Sequence, residues 1–254
     1  MAKGPSVSSE NLNIFNRSCW DISQSNSNKI LTGNKALDRH FGGGISLGHI
    51  VELIGNSGTG KTQMCLQLCL NVQIPKAVGG LEGSALFIDS RQDFHPDRLL
   101  GLAQILERQY EHKVPEFKAL KMLQKIYHVR CPNVVQLMAT VLSCHRHLGD
   151  HPDIKLIVID SLAFSLRMLE DGARRYELLL ELHESMRRLQ RQHELAWVVT
   201  NVLTHRCVKD QFRVEPALGY QHSHLINERI WFSSSSDLHL GKSWRTSRLI
   251  EESD

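Results

Sequence analysis

One segment of this 254-residue sequence constrains the fold more than any other, the glycine-rich run Gly55-Asn56-Ser57-Gly58-Thr59-Gly60-Lys61-Thr62. It follows an apolar run at residues 50–54 and precedes apolar residues at helical spacing up to Val72. In a strand, loop and helix of this kind, the loop N–H groups converge on phosphates at the positive end of the helix. Lys61 then supplies a cation for the β- and γ-phosphates, and the Thr62 hydroxyl binds Mg²⁺. The sequence therefore predicts that these eight residues bind ATP with Mg²⁺.

The rest of the chain alternates short apolar runs with helical patterns. Further strands are predicted at residues 85–88, 126–129, 156–159, 196–199 and 229–232, and helices at residues 99–107, 134–148 and 176–193. Buried strands that alternate with helices predict an α/β fold with a mostly parallel, twisted sheet flanked by helices. Residues 1–28 are rich in Ser and Asn, which is typical of a disordered polar leader, and residues 29–254 form the predicted core domain.

Composition excludes several classes of protein. The apolar runs are too short to span a membrane, and the N-terminus lacks the pattern of a secretory signal, so we expect the six cysteines to be thiols in a reducing compartment. The 14 histidines show no paired spacing typical of structural zinc, and a nucleophile elbow is absent. Since the net charge is only +3, a nucleic-acid surface would require local clusters of basic residues.

Asp160 follows the predicted strand at residues 156–159 directly. An acid at the end of such a strand holds the Mg²⁺ shell in phosphate-loop proteins. The alternative is an Asp that only caps the following helix. We favour Asp160, together with Thr62, as the residues that hold Mg²⁺ beside ATP.

Several motifs in order along the chain resemble the RecA/RadA family, over about residues 29–240. The resemblance is greatest to the paralogs of the eukaryotic strand-exchange recombinase, above all the C-type paralog, with the paralog that partners the C-type as second choice. It implies a RecA-type phosphate-loop core, with Arg98 against the adenine ring and without the family's small N-terminal DNA-binding domain. The motifs are Leu37-Asp38 before Gly42-Gly43-Gly44, Gln73-Ile74-Pro75, Phe94-x-Pro96-x-Arg98-Leu99, Asp160-Ser161, Thr200-Asn201 and Pro216-Ala217-Leu218-Gly219.

Two positions depart from the pattern of the family's active ATPases. The resemblance implies a water-activating Glu where this chain has Arg91, and a γ-phosphate-sensing Gln where it has Val202. A guanidinium cannot accept a proton, and losing a general base typically slows a reaction about a hundredfold to ten-thousandfold. Asp93 is the alternative candidate for the base. The sequence therefore predicts binding of Mg-ATP with weak hydrolysis by this chain alone.

The resemblance also implies two loops that hold single-stranded DNA. The first matches residues 167–175, which are shortened relative to the family's loop, and the second matches residues 202–215, where Phe212 could stack on a base. Cationic groups in such loops release counterions from a phosphate backbone, although plain solvated loops have the same composition. The candidates are Arg167, Arg174 and Arg175 in the first loop and Arg206, Lys209 and Arg213 in the second.

Two weaker signals lie outside these loops. Lys242, Arg245 and Arg248 form a basic cluster for which we favour a solvated strand face. Phe15, with Ser18 three residues later, resembles the linker with which recombinase subunits dock on a neighbour.

Taken together, these features favour an ATP-binding recombinase paralog in homologous recombination and double-strand break repair. We expect it to act in the nucleus, in mitotic or meiotic cells, with other paralogs, the main recombinase and single-stranded DNA. Two alternatives remain open, an active DNA-dependent ATPase and a nucleotide-gated scaffold that never contacts DNA.

Overall fold

The computed structural model describes residues 28–208, 211–232, 238–242 and 246–250. A short ribbon pairs β1 with β2, and the other strands belong to one twisted sheet. The strands are β1 (Lys29–Ile30), β2 (Ile45–Ser46), β3 (Ile50–Gly55), β4 (Ser84–Asp89), β5 (Ile126–Arg130), β6 (Ile154–Asp160), β7 (Ala196–Val208), β8 (Gln211–Pro216), β9 (Glu228–Phe232), β10 (Leu238–Lys242) and β11 (Thr246–Ile250).

The main sheet has the strand order β11-β10-β9-β3-β7-β6-β4-β5, with β8 paired to β7 beyond this path. Strands from β9 through β5 are parallel, whereas β10 and β11 add an antiparallel edge. β3 lies centrally between β7 and β9. Because the carboxyl ends of parallel strands share one edge of a sheet, the segments after β3, β4 and β6 meet there.

Helices cover both faces of the sheet, and each face has its own apolar core. One core contains residues of α2, α3 and α4, and the other contains residues of α5, α6 and α7. No helix in the described ranges is long and apolar enough to cross a membrane. The helices are α1 (Lys35–His40), α2 (Lys61–Asn71), α3 (Pro96–Tyr110), α4 (Ala119–Gln124), α5 (Val134–Asp150), α6 (Leu162–Arg167) and α7 (Gly172–His193), with 3-10 turns at Lys76–Val78 and Tyr220–His224.

The predicted α/β class is confirmed, since every strand and helix expected from apolar periodicity is present in the fold. α7 begins four residues earlier than its apolar pattern, because the Asp171 side chain accepts hydrogen bonds from the N–H groups of Ala173 (2.9 Å) and Arg174 (3.3 Å). The leader expected at residues 1–28, including Phe15 and Ser18, lies outside the described residues except for Asn28. The leader and its boundary therefore stay a prediction.

The segment expected as a second loop at residues 202–215 is mostly a β-hairpin, and this expectation was wrong. β7 continues through Val208 and pairs antiparallel with β8, from Leu203 opposite Pro216 to Val208 opposite Gln211. The segment contains β-branched and aromatic residues, which favour strands. The strands predicted from the sequence rest on the periodicity of apolar residues and not on these strand preferences.

Candidate nucleotide-binding site

The phosphate loop lies between β3 and α2, at the carboxyl edge of the sheet. Gly58 and Gly60 both have left-handed φ angles, of +82° and +97°, which side chains with a Cβ adopt only with strain. Gly60 caps α2, so the helix begins at Lys61 and its free N–H groups face the loop. The local backbone therefore has the shape and polarity that bind phosphate groups.

Lys61 is a buried cation, with only 6% of its surface exposed. Its Nζ donates to the carbonyl oxygens of Gly55 (2.8 Å) and Asn56 (2.7 Å). Burial lowers the pKa of Lys61; the charge of Asp160 opposes this effect, and that of Arg91 adds to it. Because neutral carbonyls are a weak match for a buried ammonium group, this position suits an anionic ligand such as a phosphate.

Thr62 and Asp160 meet across the site, although they are almost 100 residues apart in sequence. The Thr62 hydroxyl donates to Oδ2 of Asp160 at 2.6 Å, and the Thr200 hydroxyl donates to Oδ1 of Asp160 at 2.6 Å. Asp160 is 4% exposed. A hydroxyl and a carboxylate fixed in contact supply the hard oxygen atoms that Mg²⁺ prefers beside a phosphate. Both predicted metal-binding residues thus fit Mg²⁺ held with ATP.

The turn after β4 is organised by the buried carboxylate of Asp89. Its Oδ1 accepts hydrogen bonds from the N–H groups of Arg91 (3.0 Å) and Gln92 (2.7 Å), and its Oδ2 accepts one from Phe94 at 3.3 Å. Gln92 has a left-handed φ of +63° in this turn. Asp89 therefore fixes the backbone that places residue 91 toward the phosphate loop.

Arg91 and Asp93 lie in a cleft of about 330 Å³ that also contains Lys61, Thr62 and Arg98. The Arg91 Nε contacts Oδ2 of Asp93 at 2.9 Å in an ion pair. Asp93, the alternative candidate for a base, thus has a carboxylate oxygen already engaged by a guanidinium. Arg98 lies exposed in the first turn of α3, at the rim of this cleft.

Val202 contributes to packing at the position where an amide was expected from the resemblance. Its side chain packs against the apolar core that includes α7, and its N–H donates to the Asn201 side chain at 2.8 Å. The Asn201 amide in turn donates to Oε1 of Glu52 at 2.7 Å. The side chain of Val202 has no polar atom and therefore cannot form a hydrogen bond to a phosphate.

Glu52 is the centre of a buried ionic network beneath the phosphate loop. It is completely buried on β3, and it pairs with Arg229 on β9 and with Nδ1 of His222 at 2.8 Å. Burial opposes ionisation of Glu52, but His222 and then Arg229 outweigh it and lower the pKa of Glu52 to about 2. Glu52 is therefore ionised, and the network ties β3, β7 and β9 to the turn at Tyr220–His224.

The hydrogen bonds of this network place the proton of His183. His183 Nδ1 lies 2.8 Å from the carbonyl oxygen of Leu179 and must donate to it. Since burial lowers the pKa of His183 to about 3, the His183 Nε2 can only accept, at 3.2 Å from the His222 Nε2. His222 thus links His183 to ionised Glu52 through its two ring nitrogens.

Sequence reasoning missed Glu52, His183, His222 and Arg229. The available signal was the charge of Glu52 inside an otherwise apolar strand, since a buried carboxylate requires partners. It could not name those partners, which lie about 130 to 180 residues further along the chain.

Among the predicted DNA-contacting residues whose side chains the structure describes, Arg167, Arg174 and Arg175 do not line the cleft. Arg167 ends α6 and is exposed, and Arg174 pairs with Glu177 at 3.0 Å on the first turns of α7. Arg175 is half-buried there, and its Nε has no partner within the described residues. Arg206 and Arg213 occupy paired positions on β7 and β8. The described part of the structure does not include the side chains of Arg206, Phe212 and Arg213. It includes no atoms of Lys209 or Arg245. In the basic cluster near the C-terminus, Lys242 lies on β10 and Arg248 on β11.

Comparison with known proteins agrees with this architecture. The chain is 35% identical over 216 residues to DNA repair protein RAD51 homolog 3 of Cricetulus griseus, across 80% of this chain and 59% of that protein. It is 34% identical to DNA repair and recombination protein RadA of Metallosphaera sedula, across 75% and 57% of the two chains. With DNA repair protein rhp57 of Schizosaccharomyces pombe it shares 30% identity, across 82% and 61%.

The chain thus spans about three fifths of the length of these curated relatives. The sequence pattern of the Rad51 family matches residues 23–217, which include the phosphate loop, Asp160 and the hairpin of β7 and β8. On this evidence the chain belongs to the Rad51 family, among relatives that include a eukaryotic recombinase paralog of the C type.

Proposed function

We propose that this chain is an ATP-binding recombinase paralog that assists homologous recombination and double-strand break repair. It binds Mg-ATP and hydrolyses it slowly, within a complex that contains other paralogs and supports the main recombinase. Its place of action is the nucleus, in mitotic cells, meiotic cells or both. The names of its relatives, two of them DNA repair proteins of eukaryotes, support this role.

One observation carries the biochemical part of the proposal. Lys61 and the Thr62–Asp160 pair offer the buried cation and the hard oxygen atoms that suit a triphosphate with Mg²⁺, while the candidate position for a base holds Arg91. Bound Mg-ATP would supply charge that neutralises the buried Lys61. Binding of nucleotide that favours the assembled state stabilises a complex by mass action, without turnover.

The first test measures binding and turnover on the same protein. We expect Mg-ATP to bind the unaltered chain and Lys61→Ala to abolish binding, because the buried cation is lost. Lys121→Ala removes an exposed lysine from α4 and serves as the matched control, with binding unchanged. Isothermal titration gives the affinities, and phosphate release gives the rate. Equal ATP binding by Lys61→Ala and the unaltered chain would contradict the proposal, as would turnover typical of an active recombinase.

Contact with single-stranded DNA is the second part of the proposal. Exposed Arg167 at the end of α6 and the basic positions 206, 209 and 213 around the β7–β8 hairpin support it. We expect the triple variant Arg206→Ala, Lys209→Ala, Arg213→Ala to bind an oligonucleotide more weakly and with a smaller salt dependence. Fluorescence anisotropy across a salt series measures both, and unchanged affinity removes the hairpin from the interface.

A scaffold that never contacts DNA is the second candidate, and the first loop favours it. Only residues 168–171 separate α6 from α7, and Arg174 is engaged by Glu177. The same anisotropy series decides, since a scaffold shows no oligonucleotide binding at physiological salt. Binding that falls steeply with salt excludes the scaffold.

A further inference from the structure

The nucleotide cleft has positive charge both at the phosphate loop and on the segment after β4. Its lining includes Lys61 from α2, together with Arg91 and Arg98 from the segment after β4. Asp93 lines this cleft, half-exposed in the ion pair with Arg91, and buried Asp160 contacts Thr62 beside it. The three cations outnumber these two carboxylates, and a polyanion between the cations would reduce their mutual repulsion.

Arg91 is held so that part of its guanidinium remains available. Asp89 anchors its backbone N–H at 3.0 Å, and Asp93 engages Nε at 2.9 Å. Its two terminal nitrogens make no hydrogen bond within the part of the chain that the structure describes, and the side chain is about one third exposed. A guanidinium fixed along one edge can present its other N–H groups to phosphate oxygens in a defined direction.

Arg91 and the phosphate-binding lysine line the same cleft. They follow different strands, β4 and β3, which β6 and β7 separate in the sheet. The fold therefore brings two cations to one cleft from two separate segments.

We propose that Arg91 binds the terminal phosphate of a nucleoside triphosphate from the β4 side of the cleft, so that the site selects triphosphate over diphosphate. The inference rests on the proposed function and assigns a specific task to a residue that the family resemblance marks only as the position of a lost base. Arg91 is thus a specificity-determining residue, and Asp93 is the positioning residue that orients it.

The test compares affinities for ATP, a non-hydrolysable ATP analogue and ADP, each with Mg²⁺, by equilibrium titration. We expect Arg91→Ala to weaken binding of ATP and the analogue about 10- to 100-fold, the loss typical of charge-assisted hydrogen bonds, and to change ADP binding less than about twofold. Arg98→Ala is the matched control, because it removes the same charge from the same cleft. We expect it to weaken ATP and ADP equally.

Arg91→Gln keeps a polar side chain at this position and provides a second variant in case Arg91→Ala does not fold. Thermal melting verifies that each variant is folded. If folded Arg91→Ala or Arg91→Gln has the same ratio of ATP affinity to ADP affinity as the unaltered chain, the inference is overturned. In that case, ATP binding by the unaltered chain still supports the proposed function. If the unaltered chain binds neither nucleotide, the proposed function fails. Strong ATP hydrolysis that Arg91→Ala abolishes also overturns the inference, since Arg91 would then serve catalysis.

Discussion

The buried pair of histidines makes the stability of the fold sensitive to acid. Burial lowers the pKa of His183 from 6.5 to about 3, and the nearby charges of His222 and Arg187 act in the same direction. The groups that face this pair are Glu52 on β3, Arg229 on β9 and Arg187 on α7. In the unfolded chain, His183 becomes protonated as the pH falls through 6.5. In the folded chain, His183 becomes protonated only when the pH falls to about 3.

The sign and size of the effect follow from linkage. Between pH 6.5 and about 3 the unfolded state binds more protons, so stability is highest above pH 6.5 and falls as the solution becomes acidic. Linkage gives a loss of about 2 kcal/mol from His183 alone between about pH 7.5 and about pH 5. Glu52 adds little in that window, because its pKa moves between 4.5 and about 2.

The assay is urea unfolding of the unaltered chain and of His183→Gln across this pH range. A glutamine does not titrate, and its side-chain oxygen can still accept a hydrogen bond from His222. We expect the stability advantage of the unaltered chain over the variant to shrink by about 2 kcal/mol from about pH 7.5 to about pH 5. Since both proteins share every other titrating group, parallel pH profiles would refute the reasoning.

Two further predictions concern stability. Asp171→Ala removes the side chain that caps α7, and we expect it to lower the free energy of unfolding by about 0.5–2 kcal/mol. We expect a smaller loss from Asp171→Asn, because asparagine keeps an oxygen that accepts the same hydrogen bonds. Equal losses for the two variants in urea unfolding would contradict the capping role. Glu52→Ala leaves buried Arg229 and His222 without their carboxylate and should cost about 3–5 kcal/mol; a loss below about 1 kcal/mol in the same assay would show that the network stabilises little.

Much of the fold could be predicted because its signals are local. The strand, loop and helix around Lys61 lie within about twenty residues, and the apolar runs of β4, β6 and β7 are continuous. The meeting of Thr62 with Asp160 also followed from the sequence, because parallel strands bring their carboxyl ends to one edge.

The remaining features depend on contacts that no local pattern reveals. The β7–β8 hairpin was expected as a loop, since its length depends on cross-strand pairing between residues such as Leu203 and Pro216. Thr200 was not expected to bond Asp160, and its sequence position at the end of an apolar run gave no hint of that partner. The network of Glu52 and His222 joins residues 170 positions apart. Such pairs follow from tertiary packing alone.

We propose above that this chain binds ATP and hydrolyses it only slowly. The most direct measurement incubates the chain with Mg²⁺ and γ-labelled ATP, re-isolates the protein over several hours, and analyses the bound nucleotide. We expect the bound nucleotide to remain mostly triphosphate in the unaltered chain, and we expect Lys61→Ala to carry no nucleotide. Bound diphosphate that accumulates within minutes, or re-isolated protein that carries no nucleotide at all, would contradict it.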